Sequence, residues 1–144
     1  MTPAILVNIV VDDLDRAVAF YTALLQVRVG RRFGELGVEL LGGSVPIYLL
    51  VKAAGTPASP ASGDRRRYDR HWTPVHLDFA VPNLEQAVGV ALAAGATQDA
   101  APATHRWGKI AHMADPLGHG FCLIEFTGRG YDEVATQTGP LLSD

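Results

Sequence analysis

Glu125 closes an otherwise apolar segment, Phe121-Cys122-Leu123-Ile124-Glu125. A carboxylate there is either the solvated end of a strand or a group set in place for chemistry. Two further groups able to move a proton or bind an ion, His76 and Asp78, stand two residues apart in PVHLDFAV (residues 74–81). In an extended strand that spacing puts both on one face with Ala80, while Val75, Leu77, Phe79 and Val81 take the other. His112 lies in KIAHMA, just ahead of the last apolar segment. His71, His105 and His119 fall in loop-like or turn-like stretches, where surface positions are the expectation. Cys122 is the only cysteine. An intrachain disulfide and a cysteine-built zinc site are therefore excluded, and alternation away from Glu125 makes Cys122 a small buried hydrophobe. No Ser-His-Asp constellation and no glycine-rich phosphate loop accompanies these groups.

The elements that must hold them are written twice. VDDLDRAVA (residues 11–19) aligns with VPNLEQAVG (residues 81–89), sharing Val, Leu, Ala and Val at matching places. Asp13 and Asn83 are N-cap residues able to accept from the first unpaired backbone N–H groups of a helix. Leu14, Ala17, Val18 and Tyr21 then recur on one helical face, as do Leu84, Ala87, Val88 and Ala91. Gly95 suits the end of the second helix. ILVNIV (5–10) and VHLDFA (75–80) read as the entering strands. Three strand-like stretches follow each helix, at 27–33, 36–41 and 46–52 and again at 96–99, 108–114 and 120–126. Asp115, Pro116 and Gly118 suit a type I turn in the last hairpin. The order is β-α-β-β-β, twice.

The chain thus divides into a first module (1–52), a linker (53–72), a second module (73–127) and a C-terminal tail (128–144). The linker opens on Ala/Gly/Pro/Ser and continues through Arg65, Arg66, Arg67 and Arg70. It reads as a solvated connector, with an arm meeting an anionic ligand or a second subunit as the alternative. Hydrophobic residues at 48% and charged residues at 19% supply a core and argue against disorder. A net charge of −3 excludes a dominant basic face for nucleic acid. The amino-terminal apolar run is too short for a signal peptide or a membrane span. A soluble cytoplasmic protein without a membrane partner is the expectation.

Two β-α-β-β-β modules, with VDDLDRAVAFY in the first and WGKIAHMADPLGHGF in the second, resemble the vicinal-oxygen-chelate superfamily. That group includes glyoxalase I, bleomycin-resistance proteins and extradiol dioxygenases. The resemblance spans roughly residues 4–126 and implies an α+β fold of tandem modules, their mixed sheets cupped and their helices on the outer face. It also implies a homodimer, in which cups from one chain or from two close round a small-molecule pocket. Metal enzymes of the group place one ligand on a module's first strand and one on its last. Carried over, these positions are His76 and Glu125 in the second module, Leu6 and Val51 in the first, where neither binds a metal.

His and Glu suit Zn, Fe, Mn or Ni, but a catalytic site normally offers three protein ligands. Asp78 and His112 are the candidates to assist. Leu6, Asn8, Tyr48, Asp78, Trp107 and His112 are the expected pocket residues. Tyr48 and Trp107 would be aromatic walls, core packing or subunit contacts. The implied function is a small-molecule-binding protein with catalysis undecided. The alternative is a divalent-metal lyase, isomerase or dioxygenase that uses His76 and Glu125, with Glu125 as the catalytic group.

Overall fold

A computed structural model of the chain describes residues 1–137; the end of the expected tail, 138–144, lies outside the described residues. In the first module β1 (Val7–Val11) leads into α1 (Leu14–Leu25), followed by β2 (Arg28–Arg32), β3 (Gly37–Leu41) and β4 (Ile47–Val51). The second repeats the plan with β5 (Leu77–Ala80), α2 (Leu84–Ala93), β6 (Thr97–Gln98), β8 (Gly108–Ala114) and β9 (Gly120–Phe126). A short strand the sequence pattern did not signal, β7 (Ala103–His105), pairs with β8. Its three residues are all exposed, so no apolar alternation marks them.

Both helices begin where a side chain satisfies the first turn. Asp13 accepts from the Arg16 backbone N–H at 3.1 Å, and Asn83 accepts from that of Gln86 at 2.9 Å. Helix α2 ends at Ala93 with Ala94 as its cap residue, and Gly95 follows with φ +105°, a conformation that favours glycine. Helix α1 has no such glycine, and Gln26 takes the left-handed position instead, donating its N–H to the Thr22 carbonyl at 3.0 Å.

The sheets run β1-β4-β3-β2 and β5-β9-β8-β6. The pairs β1/β4 and β5/β9 are parallel and the remaining pairs antiparallel. One apolar core serves both modules, with Ile9, Phe20, Val38, Leu40 and Leu49 from the first and Leu84, Val88, Met113, Phe121 and Leu123 from the second. Phe20 meets Phe121 edge-on at 5.9 Å, and the buried Tyr21 hydroxyl donates to Asp115. Burial and the adjacent Asp115 carboxylate raise the Tyr21 pKa well above the usual phenol range.

Most of the connector is exposed, in keeping with the solvated reading, yet it makes specific contacts. Its first part closes on itself, with the Arg66 guanidinium donating to Thr56 and to the Ala58 carbonyl. Its second part docks: Tyr68 donates to the Lys52 carbonyl, and His71 bridges to His119 in the last hairpin. Among the described residues no helix is long and apolar enough to cross a membrane.

Candidate functional site

The site begins with the register of β5 on β9, which pairs Leu77 with Phe121, Asp78 with Cys122 and Phe79 with Leu123. Cross-strand partners share a face. Leu77, Phe79, Phe121 and Leu123 all join the core, so Asp78 and Cys122 point to the opposite, cup side, together with His76. The β8 register places His112 opposite Cys122 on that same side. His76 Nδ1 lies 3.2 Å from Asp78 Oδ1. One donor atom from each of His76, Asp78 and Cys122 falls within 4.8 Å of the other two. Cys122 is 1% exposed, and burial, reinforced by Asp78, pushes its thiol up to about 12. The donor set combines imidazole nitrogen, carboxylate oxygen and sulfur, and so fits a divalent transition-metal ion.

Trp72, the last residue of the connector, packs over this group. Its ring meets those of His76 at 5.3 Å and His112 at 5.8 Å. Beneath it Gly120 leaves room for the indole, and a Cβ at that position would overlap the ring. The indole Nε1–H donates to Asp99 at 3.1 Å, and Asp99 also accepts two bonds from Arg70 at 2.6 and 2.5 Å. These bonds, Arg70 foremost, hold the Asp99 carboxyl below its ordinary range.

Strands β1 and β5 belong to different sheets, and residues of both line two clefts. One, of about 360 Å³, is lined by Asn8, His71, Thr73, His76 and His119 among others. The other, of about 600 Å³, is mostly apolar and includes Asp78 and Asn83. His71 and His119 are half-buried rather than on the surface. The His119 Nε2–H donates to the Val10 carbonyl at 2.6 Å, and its Nδ1 lies 3.3 Å from His71 Nε2. The pair ties the connector and the last hairpin to β1.

Glu125 does not reach the site. It alternates with Phe121 and Leu123 onto the helix side of the sheet, where its Oε1 accepts from the Leu84 N–H at 2.8 Å. Its Oε2 lies 3.8 Å from Lys109 Nζ. It therefore caps the first turn of α2 from a neighbouring strand. The expectation that Glu125 shares a cavity with His76 is corrected by register: β5 and β9 bring their apolar alternations into phase, and the polar residues between them meet. A signal was available in the two patterns, L-x-F in β5 and F-x-L in β9, which seat one core face only if Cys122 joins Asp78.

The other expected residues scatter. Leu6 is 57% exposed. Tyr48 donates to Glu39 at 2.9 Å on the first sheet. Trp107 stacks on His105 at 5.2 Å and packs against Phe126 and Tyr131. The first module carries a second polar cluster that its sequence did not flag. Glu39, 4% exposed, occupies in β3 the place His112 holds in β8, and accepts from Arg31 as well as Tyr48. Hydrogen bonding to Arg31 lowers its carboxyl to about 2.

Comparison with known proteins adds a family and a fold. The profile described as "Glyoxalase-like domain" matches residues 6–124. No curated protein matches the sequence. A hypothetical protein from S. aureus superimposes with a TM-score of 0.63 at 19% identity, covering 87% of this chain and 98% of its own. A glyoxalase/bleomycin resistance protein/dioxygenase family enzyme from Burkholderia phytofirmans gives 0.62 at 20% identity, covering 85% and 97%. The fosfomycin resistance protein FosX from Listeria monocytogenes gives 0.66 at 16% identity, covering 88% and 93%.

Proposed function

The chain belongs to the glyoxalase-like domain family, within the vicinal-oxygen-chelate superfamily, and from that premise we propose that it binds a small organic ligand at the cup face of its second sheet, on a divalent metal ion held by His76, Asp78 and Cys122. The observation that carries this reading is the approach of three unlike donors, from β9, from β5 and from the residue before it, to within 4.8 Å of one another. Three protein ligands leave a position open for a small molecule. Among Zn, Fe, Mn and Ni, the mixed nitrogen and sulfur set favours Zn; the exclusion of a cysteine-built zinc site holds for sets of several cysteines and does not extend to one thiolate beside His76 and Asp78. A bound ion supplies Lewis acidity toward the ligand's oxygen atoms. Asp78 orients the His76 imidazole through their 3.2 Å contact. Cys122, protonated up to about 12, must release its proton when the site is loaded, so affinity rises with pH. Glu125 has no place in this chemistry.

Titration with cobalt(II) tests the reading. Protein purified without chelator develops the near-ultraviolet band of a thiolate–cobalt bond, and Cys122→Ser lacks it. Absence of that band from the parent protein overturns the assignment.

A second reading, sequestration of a ligand without metal, is favoured by the Cys122 thiol being held neutral beside Asp78. Thermal denaturation with fosfomycin and with bleomycin, with and without cobalt(II), separates the two. A rise in Tm without the ion supports sequestration, because only a ligand that prefers the folded state raises it. A homodimer belongs to the same proposal. It rests on the family resemblance, and sedimentation equilibrium tests it: a dimer mass supports it and a monomer mass overturns it.

A further inference from the structure

The connector contributes more to the site than a tether. Residues 70–72 and Asp99, far apart in sequence, form a closed arrangement around the Trp72 indole. Asp99 follows β6, and its backbone N–H donates to the His112 carbonyl at 2.9 Å. Its carboxylate accepts from Trp72 Nε1 and from Arg70. The Arg70 guanidinium also lies over the indole, 5.0 Å from the ring centroid, an attraction that adds to the ion pair. Held in this way, the indole lies against β9 at Gly120, two residues before Cys122. It meets the His76 and His112 rings in edge-to-face contacts, at interplanar angles of 88° and 62°. His76 is otherwise fixed only by Asp78 among the described contacts, and it precedes the first ladder pair of β5.

We propose that Asp99 is a positioning residue for the His76/Asp78/Cys122 site: through Arg70 and Trp72 it sets the orientation of the His76 imidazole. The inference rests on the metal reading given above and assigns the connector a part in it. The physical reason is general. A ligating imidazole on a free side chain samples several rotamers, and outer groups that hold one of them raise affinity for the ion, typically by about 10–100-fold. Here the support is an edge-to-face aromatic contact rather than a hydrogen bond. Its own position depends on an ion pair between the connector and β6.

The test uses the whole chain carrying Trp107→Phe, so that Trp72 is the only tryptophan. Trp107 sits in the separate cluster with His105, Phe126 and Tyr131. Cobalt(II) titration of this protein and of its Asp99→Ala and Asp99→Asn derivatives is followed by absorption, and Trp72 emission is recorded before metal is added. Asp99→Ala is expected to shift Trp72 emission to the red, weaken cobalt(II) binding by about 10–100-fold and move the cobalt d–d bands. Asp99→Asn keeps the indole partner and loses the ion pair, so its effects fall between. Circular dichroism shows that each derivative is folded. Equal affinity and identical d–d bands in folded Asp99→Ala overturn the positioning role while leaving the metal reading intact. Failure of the Trp107→Phe parent to take up cobalt(II) overturns both.

Discussion

Glu125 and Cys122, three residues apart on one strand, exchange the roles their chemistry suggests. The carboxylate caps a helix and the thiol joins the donor group, because alternation sends them to opposite faces. Glu125→Ala should therefore lower stability by about 1 kcal/mol, the usual effect of losing a helix cap, and leave cobalt(II) affinity unchanged; urea denaturation and the titration above measure the two. Glu39 offers a separate test. Its carboxyl is lowered from 4.5 to about 2 by hydrogen bonds from Arg31, so the folded state binds fewer protons than the unfolded one in between. The stabilisation is complete above pH 4.5 and is lost as the pH falls through about 2. Urea midpoints of Glu39→Gln should accordingly fall less over that interval than those of the parent protein.

At the scale of elements, the last hairpin holds the modules together with polar bonds as well as apolar contacts. Asp115 turns the chain, accepting from the Leu117 and His119 N–H groups through Oδ1 at 2.8 and 3.0 Å, as its place in a type I turn suggested. Its other oxygen receives the Tyr21 hydroxyl from α1. Tyr21→Phe leaves that oxygen buried without its partner, at a cost of about 1–3 kcal/mol. The same hairpin carries His119, bonded to Val10 in β1 and beside His71 in the connector. His119→Ala should lower stability by a similar amount and speed proteolysis of the connector, which limited digestion followed by mass spectrometry detects. Protection equal to that of the parent protein would show that the histidine pair does not hold the connector down.

For the whole molecule, the decisive fact is one core shared by two repeats. Phe20 of the first module is fully buried against Phe121 of the second. Phe20→Ala should therefore cost about 3–5 kcal/mol and lower the stability of both modules together. A single calorimetric transition at reduced Tm is the expected result. Two resolved transitions, with only the first module shifted, would contradict a shared core.

The sequence by itself determined the repeat, the caps at Asp13 and Asn83 and, β7 apart, the order of elements, because each rests on local periodicity and short-range backbone chemistry; its motifs also carried the resemblance to the superfamily. It also singled out His76 and Asp78 as neighbours, since two residues on one strand need no partner to share a face. Which last-strand residue meets them was decided by tertiary structure alone. A shift of one residue in the β5/β9 register exchanges Cys122 for its neighbours, and that register is set by the packing of Leu77, Phe79, Phe121 and Leu123 beneath α2. The same holds for Trp72, Asp99 and Glu39, whose partners lie strands away and come together only once both sheets have formed.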